Sequence, residues 1–229
     1  MKSTKFETMK QTFATAILLV ATAINSLASF DYSWTVATDI PDANPSGFVN
    51  SQTIGMTTQG NNLPTAPYIT SVLGVTLNLS GGWNGDLYAY LRYEVEGVGT
   101  GFTTLLNRVG GTPASSVYTT SGMSVFLTAG MGDPDIHTAT SPTGGDSFNV
   151  DSTGSSTTFS SFIGLDPTAG TWSVYFADLS GNHVSTLDSW GLNLEVVPEP
   201  VNMALGIVGG IAGIGGLVRW RLNRKPVQA

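Results

Sequence analysis

Hydrophobic and polar residues alternate with a period of two in four segments of the chain. These segments are 72–79, 86–92, 171–176 and 190–196. Trp172 and Trp190 fall on the apolar side of the last two segments, and a tryptophan ring buries roughly 150–250 Å² when it faces a core. A period of two is typical of strands with one face in a core and one in water. The four segments are therefore predicted to be half-buried β-strands.

Turn-forming residues separate the predicted strands. Glycine pairs occur at Gly81-Gly82, Gly110-Gly111 and Gly144-Gly145, and Ser180-Gly181-Asn182 lies before the last segment. Such clusters mark turns and loops, and the sequence between them has no helical period. The pattern predicts an all-β fold, most simply a jelly-roll-like β-sandwich.

The N-terminal end of the chain has a different pattern. Lysines 2, 5 and 10 precede an apolar stretch at 13–27, and Ser26-Leu27-Ala28 offers small residues at the positions that a signal peptidase inspects. We predict that residues 1–28 are a signal peptide, cleaved by signal peptidase between Ala28 and Ser29. A retained membrane anchor is the alternative for this stretch. Residues 29–39 are interpreted as a short N-terminal segment that precedes the folded domain.

The C-terminal end has three consecutive parts. The motif Val197-Pro198-Glu199-Pro200 is followed by an uncharged apolar run at 201–218, and then by the bases Arg219, Arg221, Arg224 and Lys225. As a helix, the run would rise about 27 Å, close to the thickness of a bilayer core. We predict a single transmembrane helix at 201–218 whose basic end stays cytoplasmic.

This arrangement of motif, span and basic end resembles the PEP-CTERM sorting signal of Gram-negative bacteria. The resemblance covers 197–225. It implies an exported protein that is held transiently in the inner membrane and processed by an exosortase. Such a protein goes on to the cell surface or the extracellular matrix, where exopolysaccharide is an expected partner.

Charge is distributed unevenly along the chain. Residues 29–200 contain fifteen Asp and Glu but only two bases, Arg92 and Arg108, because the other seven Lys and Arg lie in the two ends. A surface this acidic repels nucleic acid and anionic lipid, and it is compatible with divalent cations and neutral polymers. The chain has no cysteine, so its stability must come from an ordinary hydrophobic core.

The order of motifs in the middle of the chain resembles the P domain (P/Homo B) of subtilisin-like proprotein convertases. The residues that carry the likeness are Ile40-Pro41-Asp42, Gly85-Asp86-Leu87, Leu105–Gly110, Gly170-Thr171-Trp172 with Asp178, and Leu187-Asp188-Ser189-Trp190. The resemblance runs from about Ile40 to Val196. It implies a jelly-roll β-sandwich that has no catalytic residues of its own.

Aspartates provide the candidate metal ligands. Asp86 and Asp178 lie at predicted strand ends, and Asp133 and Asp135 lie with Asp146 and Asp151 in a loop rich in Gly, Pro and Ser. Carboxylates from convergent loops are the ligands that calcium prefers, which makes Asp86, Asp133, Asp135 and Asp178 candidate calcium ligands. The alternative is that Asp86 and Asp178 only cap turns by accepting backbone N–H bonds.

The sequence does not indicate an enzyme. His137 and His183 both lie in polar loops where a solvated histidine is the ordinary interpretation, and no nucleophile elbow or paired-histidine metal motif accompanies them. We expect a non-catalytic envelope or matrix protein. One alternative is a module that binds glycans or proteins through Trp83, Tyr88, Tyr90 and Tyr93. The other is a hydrolase, whose turnover would disappear on changing His137 or His183 to Ala.

Overall fold

The computed structural model describes residues 27–64, 67–96, 99–110, 118–130, 132–139, 142–198, 209–210 and 213–215. The chain divides into a compact unit, Ala28–Val196, and a second unit made of residues 1–27 and 197–229. Nearly all of the second unit lies outside the described residues.

The described part of the compact unit is built from β-strands and short 3₁₀ turns. The strands are β1 Ala28–Asp39, β2 Asn44–Gln52, β3 Pro67–Gly81, β4 Leu87–Val95, β5 Gly99–Asn107, β6 Met123–Thr128, β7 Asp146–Asn149, β8 Thr171–Asp178 and β9 Ser185–Pro198. The 3₁₀ turns are Thr58–Gly60, Asn84–Asp86, Ile136–Thr138 and Ser160–Phe162. The four segments predicted from alternation lie in β3, β4, β8 and β9, so the prediction of strands there is confirmed.

The strands form two sheets. The five-stranded sheet has the order β1-β9-β3-β6-β7, and the four-stranded sheet has the order β2-β8-β4-β5. The β1–β9, β2–β8, β3–β6, β4–β5 and β4–β8 pairs are antiparallel, whereas β6 and β7 run parallel. The described part of the compact unit is therefore an all-β sandwich, as predicted.

A hydrophobic core lies between the sheets. Its largest side chains, Trp172 and Trp190, are both fully buried. Each indole N–H finds an acceptor, with Trp172 Nε1 donating to the Pro167 carbonyl at 3.1 Å and Trp190 Nε1 donating to Asn50 Oδ1 at 2.8 Å. Because both polar N–H groups are satisfied, the two rings enter the core without an unpaired donor.

The sandwich begins earlier than Ile40, the start expected from the sequence. Residues 29–39 belong to β1, the edge strand of the five-stranded sheet, and Trp34 pairs with Trp190 of β9. Phe30, Tyr32 and Trp34 turn toward the core while the alternate positions are exposed. Residues 29–39 therefore do not form a segment that precedes the folded domain, because their alternation is that of a half-buried edge strand.

No helix among the described residues is long and apolar enough to cross a membrane. Of the predicted span 201–218, only 209–210 and 213–215 are described, and these are helical. The remainder of that span and the predicted signal peptide up to residue 26 lie outside the described residues.

Candidate functional site

Two aspartates, one at the end of β8 and one in the turn before β4, lie near each other at one end of the four-stranded sheet. Asp178 is the last residue of β8 and pairs with Leu87, the first residue of β4, so Asp86 lies diagonally beside it. The Leu179 N–H donates to the Asp86 carbonyl at 2.8 Å, which holds the two chain segments together. Both aspartates are almost completely buried. We call Asp86 and Asp178 the carboxylate pair.

A rigid turn holds Asp86 in its buried position. The Asn84 and Gly85 N–H groups donate to the Thr120 and Tyr118 carbonyls, each at 2.9 Å. The side chain of Asn84 donates to Thr120 Oγ1 at 3.0 Å and to the Gly122 carbonyl at 2.8 Å. Gly85 has no room for a side chain, because an added Cβ would lie 2.2 Å from the Tyr118 ring. The turn is therefore fixed by contacts other than those of the Asp86 carboxylate.

The Asp86 carboxylate itself has no hydrogen-bond partner among the described residues. Both of its oxygens are buried, and neither has a hydrogen-bond partner in the described part of the chain. Asp178 accepts one bond, from the Ser180 N–H to Oδ1 at 3.1 Å, but its Oδ2 is likewise buried and unpaired among the described residues. Turn capping thus accounts for one oxygen of Asp178 and for neither oxygen of Asp86.

The surroundings of Asp178 disfavour its charged form. Burial raises the pKa of Asp178, and the nearby carboxyls of Asp86 and Asp42 raise it further. The Ser180 N–H and His183 act in the opposite direction. The pKa of Asp178 is thus raised overall, because burial outweighs the groups that favour its charged form.

Other polar groups surround the carboxylate pair. Asp42 Oδ2 accepts from the Asn182 N–H at 3.0 Å. His183 stacks beneath Trp83 with the ring centroids 3.5 Å apart, and its Nδ1 is buried without a described partner. Ser185 Oγ is also buried and has no hydrogen-bond partner among the described residues. The interpretation of His183 as a solvated loop histidine was therefore wrong, since Trp83 covers it.

In the second group of aspartates, three of the four carboxylates accept hydrogen bonds. We call Asp133, Asp135, Asp146 and Asp151 the acidic loop. Asp151 is fully buried, and it accepts from the Asn107 N–H at 2.9 Å, the Thr153 N–H at 2.9 Å and Thr153 Oγ1 at 2.5 Å. Asp135 accepts from the His137 N–H at 2.9 Å, and Asp133 accepts from Thr128 Oγ1 at 2.7 Å. These carboxylates organise the loop in which they lie.

The acidic loop also contains a histidine–aspartate contact that the sequence analysis missed. His137 Nδ1 lies 2.9 Å from Asp151 Oδ2, and the imidazole is mostly covered. The prediction that His137 is solvated was therefore wrong. Asp135, two residues before His137, was the available signal, because an aspartate there can cap a short turn and fix the histidine.

The predicted metal ligands do not form one group. Among the described residues, no set of three or more His, Asp or Glu side chains is placed to hold a metal ion. Asp86 and Asp178 come together, but Asp133 and Asp135 are engaged in the acidic loop. Asp133 also borders an open groove of about 470 Å³ whose walls include Val72, Phe159 and Ile163.

Aromatic rings cover the outer face of the four-stranded sheet. Tyr90 and Tyr175 stack with ring centroids 4.6 Å apart, Phe102 lies 5.1 Å from Tyr90, and Tyr88 lies 6.4 Å from Tyr175. All four rings are partly exposed. We call Tyr88, Tyr90, Phe102 and Tyr175 the aromatic face.

Tyr93 is not part of the aromatic face. It is fully buried and stacks on Trp172 with ring centroids 4.2 Å apart, so its inclusion among exposed binding aromatics was wrong. Tyr93 lies five positions after Tyr88 and three after Tyr90, and an odd offset in a strand places it on the opposite side of β4, the core side, with Leu91. Phe102 and Tyr175, which the sequence analysis did not select, take its place because β5 and β8 lie next to β4.

The predicted processing residues lie at the ends of the described region. Ala28 and Ser29 are the first residues of β1, and Val197 and Pro198 are the last residues of β9. Glu199, Pro200, Arg219 and Arg221 lie outside the described residues. The chain matches no protein-family model and no curated protein.

Proposed function

We propose that this protein is a non-catalytic β-sandwich that is exported, sorted by an exosortase and associated with exopolysaccharide at the cell surface or in the matrix. The observation that carries the proposal is the order of motif, apolar span and basic end at 197–225. Signal peptidase and the exosortase are the partners during export, and the C-terminal span holds the protein in the inner membrane between these two steps.

The charge of the chain supports an extracellular role of this kind. Between Ser29 and Pro200 the fifteen acidic residues far outnumber Arg92 and Arg108. A protein with this balance is repelled by nucleic acid and by anionic lipid headgroups. It stays soluble beside neutral polymers, which suits a matrix component.

We also propose that the sandwich is a jelly roll of the P-domain type. The strand orders β1-β9-β3-β6 and β2-β8-β4-β5 support this, because each sheet combines early and late strands in the way that a jelly roll requires. In that interpretation β7 is an addition to the edge of the five-stranded sheet. The proposal would be contradicted if the strand order of this sandwich differed from that in a solved structure of a P domain.

The proposal of exosortase sorting is tested by intact mass. Protein recovered from the native envelope and from the medium should begin at Ser29 and end near Pro200. A species that retains Ala229 and stays in the inner membrane would mean that the span is a permanent anchor, and the proposal would then be wrong. Deletion of the exosortase should convert the first species into the second.

Glycan binding is a second candidate function, and the aromatic face favours it. Partly exposed rings that lie side by side on a sheet offer flat apolar surfaces with polar hydroxyl edges, which suit the faces and hydroxyls of sugars. Val49, 55% exposed and paired with Tyr175, extends the apolar surface onto β2. Burial raises the pKa of the Tyr175 hydroxyl, and the neighbouring Tyr90 and Tyr88 raise it further.

A pull-down of the full chain with its own exopolysaccharide tests this function. Tyr90→Ala removes the ring at the centre of the aromatic face and should weaken binding by about tenfold or more, as for a central contact residue. Tyr68→Ala on β3 of the other sheet is the matched control and should bind normally. Equal binding by both variants would exclude the aromatic face as the binding surface.

A further inference from the structure

We propose that the carboxylate pair, Asp86 and Asp178, binds a divalent cation that prefers oxygen ligands, and that this cation is Ca²⁺. The cation would join the start of β4 to the end of β8 by neutralising two buried charges. This inference is independent of how the protein is sorted and of whether it binds glycans.

The first argument is the state of Asp86. Its side chain is 1% exposed, and neither carboxylate oxygen has a partner within the described ranges. Buried polar groups are nearly always hydrogen-bonded, and a buried charge is costly unless it is paired or coordinates a metal. A carboxylate held in this way by a well-bonded turn indicates a ligand that the protein itself does not supply.

The second argument is that a second buried carboxylate lies close to Asp86, near enough for the charge of Asp86 to raise the pKa of Asp178. Asp178 Oδ2 is also buried and unpaired among the described residues, and the backbone pairing of β4 with β8 brings the two aspartates together. Two adjacent carboxylates repel each other unless a proton or a cation lies between them. The arrangement is therefore stabilised by a positive charge.

The third argument is that the nearby bases form no ion pair with these carboxylates in the described part of the chain. Arg108 Nε donates to the Gly85 carbonyl at 3.3 Å, and its Nη2 donates to the Tyr118 hydroxyl. His183 is near enough to lower the pKa of Asp178, and its ring stacks on Trp83. Neither base makes an ion pair with the carboxylate pair in the described part of the chain.

The donors around the pair favour calcium over other metals. Zinc in structural sites takes four ligands, mostly sulfur and nitrogen, whereas the described residues bring no third His, Asp or Glu into a metal-binding group here. Calcium accepts carboxylates together with neutral oxygens and water in flexible geometry. Ser185 Oγ is a neutral oxygen of this kind, buried and unpaired among the described residues.

Gly82 permits the approach of Ser185. Its φ is +56°, and a Cβ added there would lie 1.7 Å from Ser185 Oγ. Only glycine allows the end of β3 and the start of β9 to approach so closely at this backbone conformation. The end of β3 therefore lies against the start of β9, in the segment that leads into the Asn84–Asp86 turn. Asp133 and Asp135 of the acidic loop are not part of the proposed site.

Thermal unfolding of the full chain, purified in a mild detergent, tests the proposal. Saturating CaCl₂ should raise the Tm by about 5 °C or more over the value in chelator, as expected for a ligand present at about a hundred times its Kd. The midpoint should fall at roughly 10⁻⁴–10⁻³ M, the range of extracellular calcium modules. Magnesium should have a smaller effect. Equal Tm values in calcium and in chelator would overturn the proposal.

Substitutions identify the site. Asp86→Asn and Asp178→Asn should each abolish the calcium-dependent rise in Tm. Asp146→Asn, which removes the same charge from an exposed position in the acidic loop, is the matched control and should keep it. A calcium shift retained in both site variants would place the ion elsewhere and contradict the proposal. If the variants are stabilised and the wild type does not respond to calcium, the pair shares a proton instead.

A direct measurement keeps the proposal testable even if the variants do not fold. Tb³⁺ substitutes for Ca²⁺ and emits when a nearby tryptophan is excited, and Trp83 lies beside the Asn84–Asp86 turn. The wild-type chain should show saturable Tb³⁺ emission that Ca²⁺ displaces, and Trp83→Phe should reduce the emission without changing the calcium midpoint. Emission that Ca²⁺ does not displace would count against the site.

Discussion

The acidic loop and the carboxylate pair both contain buried aspartates, but these carboxylates differ in the hydrogen bonds that they accept. Asp151 accepts hydrogen bonds from Asn107 and Thr153 and contacts His137. Asp86 has no such partner among the described residues. A buried carboxylate that receives several donors stabilises the fold around it, whereas one that receives none raises the free energy of the folded state. Burial of an aspartate alone therefore does not reveal its role.

The largest effect should come from removing the satisfied carboxylate. Asp151→Ala leaves the Asn107 and Thr153 N–H groups and the imidazole of His137 without their acceptor. We expect a loss of about 3 kcal/mol in the free energy of unfolding, because breaking a buried network leaves several groups unpaired. Urea unfolding monitored by circular dichroism measures this. A loss below about 1 kcal/mol would show that the loop rearranges to bond with itself.

Two buried tyrosines, Tyr32 and Tyr93, should make the stability of the fold depend on alkaline pH. Burial raises the pKa of Tyr32 and of Tyr93 to about 12 each, from 10.0. Because the folded-state pKa lies above the unfolded one, the unfolded chain releases these protons first. The contribution of the two neutral tyrosines to the free energy of unfolding is complete below pH 10 and is lost as pH rises toward 12.

For the two tyrosines together we expect a loss of about 2–3 kcal/mol at pH 11 relative to pH 8. Urea unfolding at both pH values measures the loss, and ultraviolet absorbance follows tyrosinate formation. The double variant Tyr32→Phe/Tyr93→Phe is the control and should lose less. An equal loss in that variant would assign the alkaline effect to other groups.

Removing the unsatisfied carboxylate should have the opposite sign. In chelator, Asp86→Asn eliminates a buried charge that repels Asp178, so we expect the variant to be more stable than the wild type by about 1–2 kcal/mol. Chemical unfolding in chelator measures it, with Asp146→Asn as the control for loss of charge. A destabilised Asp86→Asn protein would mean that the Asp86 carboxylate makes a favourable contact within the protein.

The smallest expected effect is the difference in stability between removing the Tyr93 hydroxyl and removing the Tyr32 hydroxyl. Tyr93 donates to the Asp166 carbonyl, whereas the Tyr32 hydroxyl is buried and unpaired in the described part of the structure. Tyr93→Phe should cost about 1 kcal/mol, the usual net value of a hydrogen bond, and Tyr32→Phe should be neutral or slightly stabilising. Thermal unfolding of both variants measures the difference. Equal costs would show that the two hydroxyls are equivalent.

The strands that the sequence predicted are those with one buried face. Segments 86–92 and 171–176 alternate strictly, because β4 and β8 lie in the middle of the four-stranded sheet with one face toward the core and one outward. β2 was missed because it contains Pro45 and Gly47 and its pairing with β8 shifts register between Asn44 and Phe48. β5 was missed because residues 103–106 are all buried, so it has no alternation to detect.

The candidate sites were only partly predictable. The sequence analysis selected Asp86 and Asp178 from their positions at strand ends, and the structure places them side by side. It also grouped Asp133 and Asp135 with them, because a sequence shows which carboxylates occur in loops but not which donors surround each one. Tyr88 and Tyr90 were selected correctly as outward residues, whereas Phe102 and Tyr175 reach the same face only through strand pairing.

The sequence by itself determined which residues face the core along each regular strand and that both ends differ from the folded middle. These properties are local, since side-chain direction in a strand follows a period of two and the length of an apolar run is read directly. The tertiary structure decided the partners: which strands lie together, which aspartates receive donors and which remain unpaired. Those properties depend on strand register and on the solvent that neighbouring segments exclude, and residues far apart in the chain set both.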